Sequence, residues 1–288
     1  MELFFALLEN SRGWNAVALA LVSFALYVLA ANFAWGIANA PASATAKLLR
    51  TLAAPRGMLA LYESLRLGFY IGIPFTALYF GWIDLRAVGL GWQDLDWADG
   101  TRWAIVILLA AWLVLMLIWL PYLRATLDVL ASPETQHPLP RRLVELIYMQ
   151  AHWAFYRAAA VGILTGVLPD ALYWGAAAGL GLTLLEAFLN PRVRARLGHI
   201  GEADALVWSM GQAFINALAF LVTRNLYLLA LIQLVLEITV PHLRPMREPQ
   251  RAAAPPLPTY AARHLYANKK TLRSKTAEFF GSLGKKCW

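Results

Sequence analysis

Cysteine is nearly missing from this chain: Cys287 stands alone, so no internal disulfide and no cysteine-rich metal site can form. Charge is scarce as well. Only 15% of the 288 residues are charged against 60% hydrophobic, where soluble domains carry about a quarter charged residues. A water-soluble surface needs a polar shell, and the composition does not supply one. No glycine-rich phosphate cradle and no internal repeat is present, and nothing points to nucleic acid. What the chain has in abundance is apolar runs of about 18 residues or more, each long enough to cross a hydrocarbon core.

These features predict an all-α polytopic transmembrane bundle of about seven spans, near 14–38, 58–83, 103–122, 142–165, 171–190, 203–222 and 225–241. The expected organisation is an N-terminal anchor with its loop at 1–57, a transmembrane core at 58–241 and a basic tail at 242–288. The connections expected inside carry Lys47, Arg50, Arg56, Arg124, Arg141, Arg192, Arg194 and Arg196. Those on the other side offer Arg12, Arg86, Arg102 and Arg224, and include an acidic loop with Asp84, Asp94, Asp96 and Asp99. The positive-inside rule then places the N-terminus outside a cell (inner) membrane and the tail in the cytoplasm. Ala38-Asn39-Ala40 matches a cleavage pattern, but the long run and missing basic n-region favour a retained anchor. Trp14, Trp35, Trp82, Trp103, Trp119, Trp174 and Trp208 fall near span ends and read as interfacial anchors.

All of the net charge of +8 resides in the tail, whose five Arg and five Lys face only Glu248 and Glu278. Its Pro- and Arg-rich linker, 241–258, precedes Leu265, Leu272 and Phe279 at intervals of seven, with Lys269, Lys270, Arg273 and Lys275 between them. That spacing suits a basic amphipathic helix lying on anionic lipid or docked on a partner protein; a solubilising tail is the plain alternative. Cys287 is not a prenylation end, since one residue follows it.

Ionisable residues within spans mark places to seek function. Here they are Glu63, Arg66, Glu145, His152, Arg157, Glu186 and Glu237, joined by Asn190 and Gln233. Glu63 and Arg66 are spaced to pair on one helix face, Glu145 and His152 share another, and Gln233 and Glu237 project together. His152-Trp-Ala-Phe-Tyr-Arg157-Ala158 resembles the Glu-Glu-x-x-x-Arg-Gly signature of the CPBP intramembrane proteases, the CAAX-protease and bacteriocin-processing family. Asp84-Leu-Arg-Ala-Val-Gly-Leu-Gly91 is similar to the loop before that signature. Glu186-Ala-Phe-Leu-Asn190 stands where Phe-x-x-x-His is expected, and the 223–237 segment resembles the last core helix with its His-x-x-x-Asn.

The resemblance covers roughly residues 58–240 and implies the family fold. It also implies altered chemistry. The paired glutamates would fall on His152 and Trp153, the histidines on Asn190 and Gln233, and the asparagine on Glu237; Arg157 alone is retained. A general base needs a suitable pKa within reach of water, which Trp, Asn and Gln lack. The leading expectation is therefore a catalytically inactive CPBP-like protein serving as accessory, scaffold or assembly subunit of a larger membrane complex, with its polar residues in interhelical hydrogen bonds or ion pairs. An intramembrane metallo-endopeptidase with rearranged ligands, His152, Glu186 and Glu237, is a second expectation. A third is a pigment- or cofactor-associated subunit of an energy-converting complex, with His152 as metal ligand.

Overall fold

The computed structural model describes residues 11–39, 56–119, 139–197 and 200–242. The tail, with Lys269, Lys270, Arg273 and Lys275, lies outside the described residues, as do Lys47, Arg50 and Arg124. Among the described residues the regular structure is entirely helical. They divide into two units, 11–32 with 63–242, and 33–39 with 56–62.

The elements are α1 (Ser11–Asn39), α2 (Arg56–Leu67), α3 (Ile73–Tyr79), α4 (Leu85–Val88), α5 (Trp97–Val114), α6 (Leu139–Leu164), α7 (Ala171–Leu189), α8 (Pro191–Leu197), α9 (Ile200–Thr223) and α10 (Leu226–His242). Four stretches are long and apolar enough to cross a membrane: Ser11–Asn39, Trp97–Ile118, Ala171–Leu189 and Leu206–Thr223. Leu226–Thr239 is apolar but shorter. The other two expected spans, 58–83 and 142–165, are helical yet carry the polar residues described below. Large apolar side chains stand on the outside of the long helices: Leu29, Leu109, Ile118 and Leu218 are each more than half exposed. Such surface is foreign to a soluble monomer and natural against lipid.

Helix α2 continues into α3 through one π-turn, Gly68–Gly72, where the Ile73 amide reaches back to the Gly68 carbonyl. Pro74 supplies the reason. It has no N–H to offer the turn before it, and a shifted hydrogen-bond ladder accommodates that loss. The π-turn presents Phe69 and Tyr70 to α6.

Helix α6 is the axis of the unit, buried almost without break from His152 to Ala159. Its closest neighbour is α7, and the approach is set by Gly175-Ala-Ala-Ala-Gly179. A Cβ on Gly179 would stand 2.7 Å from the Arg157 Cα, and one on Gly175 would stand 2.8 Å from the Val161 Cα. Small residues four apart let backbones meet in this way, which is how bundles in lipid gain packing contacts. The rest of the core is alanine-rich for the same reason, with Ala16, Ala20, Ala77, Ala154 and Ala158 all buried.

Asp96 caps α5 through the Asp99 amide at 2.9 Å, and Asp84 caps α4. The Gly89 carbonyl accepts from the Leu226 amide at 2.9 Å, joining this loop to the α9–α10 turn. Only glycine fits there: φ is +87°, and a Cβ would meet the Leu226 nitrogen at 2.9 Å. Asn225 then caps α10, its Oδ1 accepting from Tyr227 and Leu228.

Candidate functional site

The polar residues of the unit sort by which side of α6 they face. At its N-terminal end four charges form one cluster. Arg66 pairs with Glu145 and, at 3.4 Å, with Glu63; Arg141 lies 2.9 Å from both carboxylates. The Glu63–Arg66 spacing thus produces the expected pair, and α6 enlarges it. Two arginines and two glutamates cancel, and the Arg66 guanidinium also lies 5.2 Å from the Tyr148 ring centroid. A neutral, mutually bonded cluster is the form in which buried charge is tolerated.

A second cluster faces α1 and α7. His152 Nε2 lies 2.9 Å from a Glu186 oxygen, with both side chains buried. One helical turn on, Asn190 Nδ2 donates to the Tyr27 hydroxyl at 2.9 Å. The Tyr156 hydroxyl is within electrostatic reach of Glu186, Ser23 and Tyr27. Its contacts with Glu186 and Ser23 are loose and fall short of well-formed hydrogen bonds, and His152 Nδ1 is buried with no hydrogen-bond partner among the described residues. This cluster has unused hydrogen-bonding capacity. Its loosely held groups are two hydroxyls, which both donate and accept, and an imidazole nitrogen, which does one or the other according to tautomer.

A third cluster faces α9 and α10, and its members bond to one another. Gln150 Nε2 donates to Asn216 at 2.6 Å and to Gln233 at 2.5 Å. Gln233 donates to Gln212 at 3.1 Å, and Gln212 donates to Glu237 at 2.6 Å. Trp208 Nε1 also donates to Glu237, at 3.1 Å. Trp208, expected near a span end, is also a rung of this ladder. Gln233 and Glu237 do project together, as their spacing predicts.

Arg157 departs from expectation. Rather than joining an interhelical ion pair or hydrogen bond, its guanidinium lies over the Phe220 ring, 3.4 Å from the centroid. Its Nε and Nη2 are buried without a hydrogen-bond partner among the described residues. A desolvated cation–π contact contributes about 2 kcal/mol. Burying a charge costs several, so roughly half or more of the cost is left uncompensated.

The proposed metal ligands do not assemble. His152 and Glu186 meet, while Glu237 belongs to the ladder. Among the described residues no three His, Cys, Asp or Glu side chains gather. Nor does His152 present an open face to a macrocycle: the rings of Tyr156, Phe69 and Tyr70 surround it with centroids at 4.3, 5.3 and 5.3 Å. Trp153 is buried in the packing.

Residues that the search within spans passes over complete these clusters: Ser23, Tyr27, Gln150, Gln212 and Asn216. Part of their signal lay in the sequence as neutral amides at four-residue spacing within an apolar helix, Gln212 with Asn216.

Comparison with known protein families, curated proteins and solved structures returns no match. Fold and site define a class: an all-helical protein, among its described residues, with four helices suited to a membrane and three buried polar clusters arranged around one central helix.

Proposed function

We propose that this chain is a multi-span protein of the cell (inner) membrane that builds or holds a larger membrane complex, on a CPBP-like core without hydrolytic chemistry. The single observation behind this reading is the amide ladder. Gln233 and Glu237, which align with the family's second histidine and closing asparagine, are committed to Gln150, Gln212 and Trp208 and join α6, α9 and α10. The Gln233 amide holds helices together and does not activate water, and the Glu237 carboxylate accepts from Trp208 and Gln212. On this reading α2–α3, α6 and α10 complete seven spans, with the N-terminus outside. The basic segment around Lys269, Lys270, Arg273 and Lys275 is the cytoplasmic contact with anionic lipid or a partner subunit.

The test is extraction of the full chain in mild detergent, followed by identification of co-purifying chains and crosslinking from 259–288. Stoichiometric membrane partners are expected. A lone monomer whose tail crosslinks to nothing would overturn the proposal. The metallo-endopeptidase alternative lacks a gathered third ligand, and no observation favours the pigment-associated one.

A further inference from the structure

The connection before α5 carries large rings that the bundle does not bury. Trp92 stands on the short 3-10 turn Trp92–Asp94 and is 62% exposed. Its ring centroid lies 4.4 Å from that of Trp97 and 5.4 Å from that of Tyr227, itself exposed, and those two are 5.9 Å apart. Trp97 Nε1 also donates to the Trp92 carbonyl at 3.4 Å. Rings this close touch one another, so they wall off no slot for a small ligand. What they offer is their outer surface.

The level of that surface is fixed by the helix ends around it. Trp97 opens the apolar stretch Trp97–Ile118, Thr223 closes Leu206–Thr223, and Tyr227 is the second residue of Leu226–Thr239. These ends meet: a Cβ on Gly100 of α5 would lie 3.2 Å from the Leu228 side chain and 3.7 Å from the Thr223 carbonyl oxygen. Where apolar helices end, hydrocarbon gives way to headgroups, the boundary that Trp and Tyr favour. Trp92, packed on both Trp97 and Tyr227, shares their level. By charge alone the 84–102 connection reads as an acidic loop in water, yet Asp84 and Asp96 accept from the Arg86 and Asp99 amides as helix caps. We propose that the Trp92–Trp97–Tyr227 surface is a lipid-binding face, which holds residues 92–97 in the headgroup–acyl boundary of the bilayer with Trp92 as its outermost anchor.

This face rests on the multi-span reading, and the test separates the two. A nitroxide is placed on Gln93→Cys, an exposed neighbour of Trp92, or on Leu109→Cys, exposed in the middle of α5, each in the full chain carrying Cys287→Ser and reconstituted in phosphatidylcholine vesicles. Collisions with oxygen, which concentrates in hydrocarbon, are compared with collisions with a water-soluble nickel chelate. The Leu109 label should meet oxygen and exclude nickel. The Gln93 label should fall between Leu109 and a free nitroxide in buffer, and Trp92→Ser should shift it toward water. A Gln93 label that matches the buffer reference while Leu109 reads hydrocarbon overturns the lipid face and leaves the multi-span reading standing. A Leu109 label open to nickel overturns both. A Gln93 label shielded from both reagents, as under a second copy of the chain, or one unmoved by Trp92→Ser, overturns the lipid face as well.

Discussion

Two sides of helix α6 handle buried polarity in opposite ways. Toward α9 and α10, Gln150, Gln212, Asn216, Gln233 and Glu237 bond to one another in a continuous ladder. Toward α1 and α7, His152 and Glu186 meet, but the Tyr156 hydroxyl touches Glu186 and Ser23 only loosely, and His152 Nδ1 has no partner among the described residues. Gln150, Gln212, Asn216 and Gln233 are as deeply buried as Ser23, His152, Tyr156 and Glu186, so for these residues the difference lies in completeness and not in burial. A closed network holds helices in register; an incomplete one retains capacity for a proton, a water molecule or a change of partner. This contrast separates residues that build the bundle from residues that can still do something within it.

The largest effect should come from the contact on which both sides depend. Gly179→Leu drives a side chain into the Arg157 backbone and should destabilise by more than about 3 kcal/mol, read as loss of the folded species in thermal unfolding. Glu145→Ala leaves Arg66 and Arg141 to share Glu63 alone at the N-terminal end of α6. Its expected loss is about 3 kcal/mol, little changed by added salt because the pair is shielded. Gln233→Leu cuts the ladder at its centre and should cost about 1–2 kcal/mol: Gln150 keeps Asn216 and Gln212 keeps Glu237, but each loses its bond to Gln233. Ser23→Ala, on the open side, removes a buried hydroxyl whose contact with Tyr156 falls short of a well-formed hydrogen bond. It should be neutral or stabilise by up to about 1 kcal/mol. If Ser23→Ala and Gln233→Leu destabilise equally, the distinction between the two sides fails.

Much of the bundle was legible in the sequence because its physics is one-dimensional. The apolar runs at 14–38, 103–122, 171–190 and 203–222 correspond to Ser11–Asn39, Trp97–Ile118, Ala171–Leu189 and Leu206–Thr223. The pairings of Glu63 with Arg66, and of Gln233 with Glu237 on one face, followed from helical spacing alone. The site was less legible. Attention to ionisable groups passed over Gln150, Gln212 and Asn216, although uncharged amides in apolar helices carry similar obligations to find partners. Gly175-x-x-x-Gly179 was also present to be read, and it fixes the α6–α7 contact.

Composition by itself determined that this chain buries its backbone in helices and exposes apolar side chains, because so few charges cannot cover a soluble surface. Tertiary structure alone decided which polar residues are satisfied. Spacing along one helix places Gln150 and Arg157 on the same face, seven residues apart. Only the neighbouring α9 gives Gln150 an amide and gives Arg157 a phenyl ring. Hydrogen bonds between helices depend on which side chains arrive from elsewhere in the chain, and helical periodicity carries no information about those arrivals.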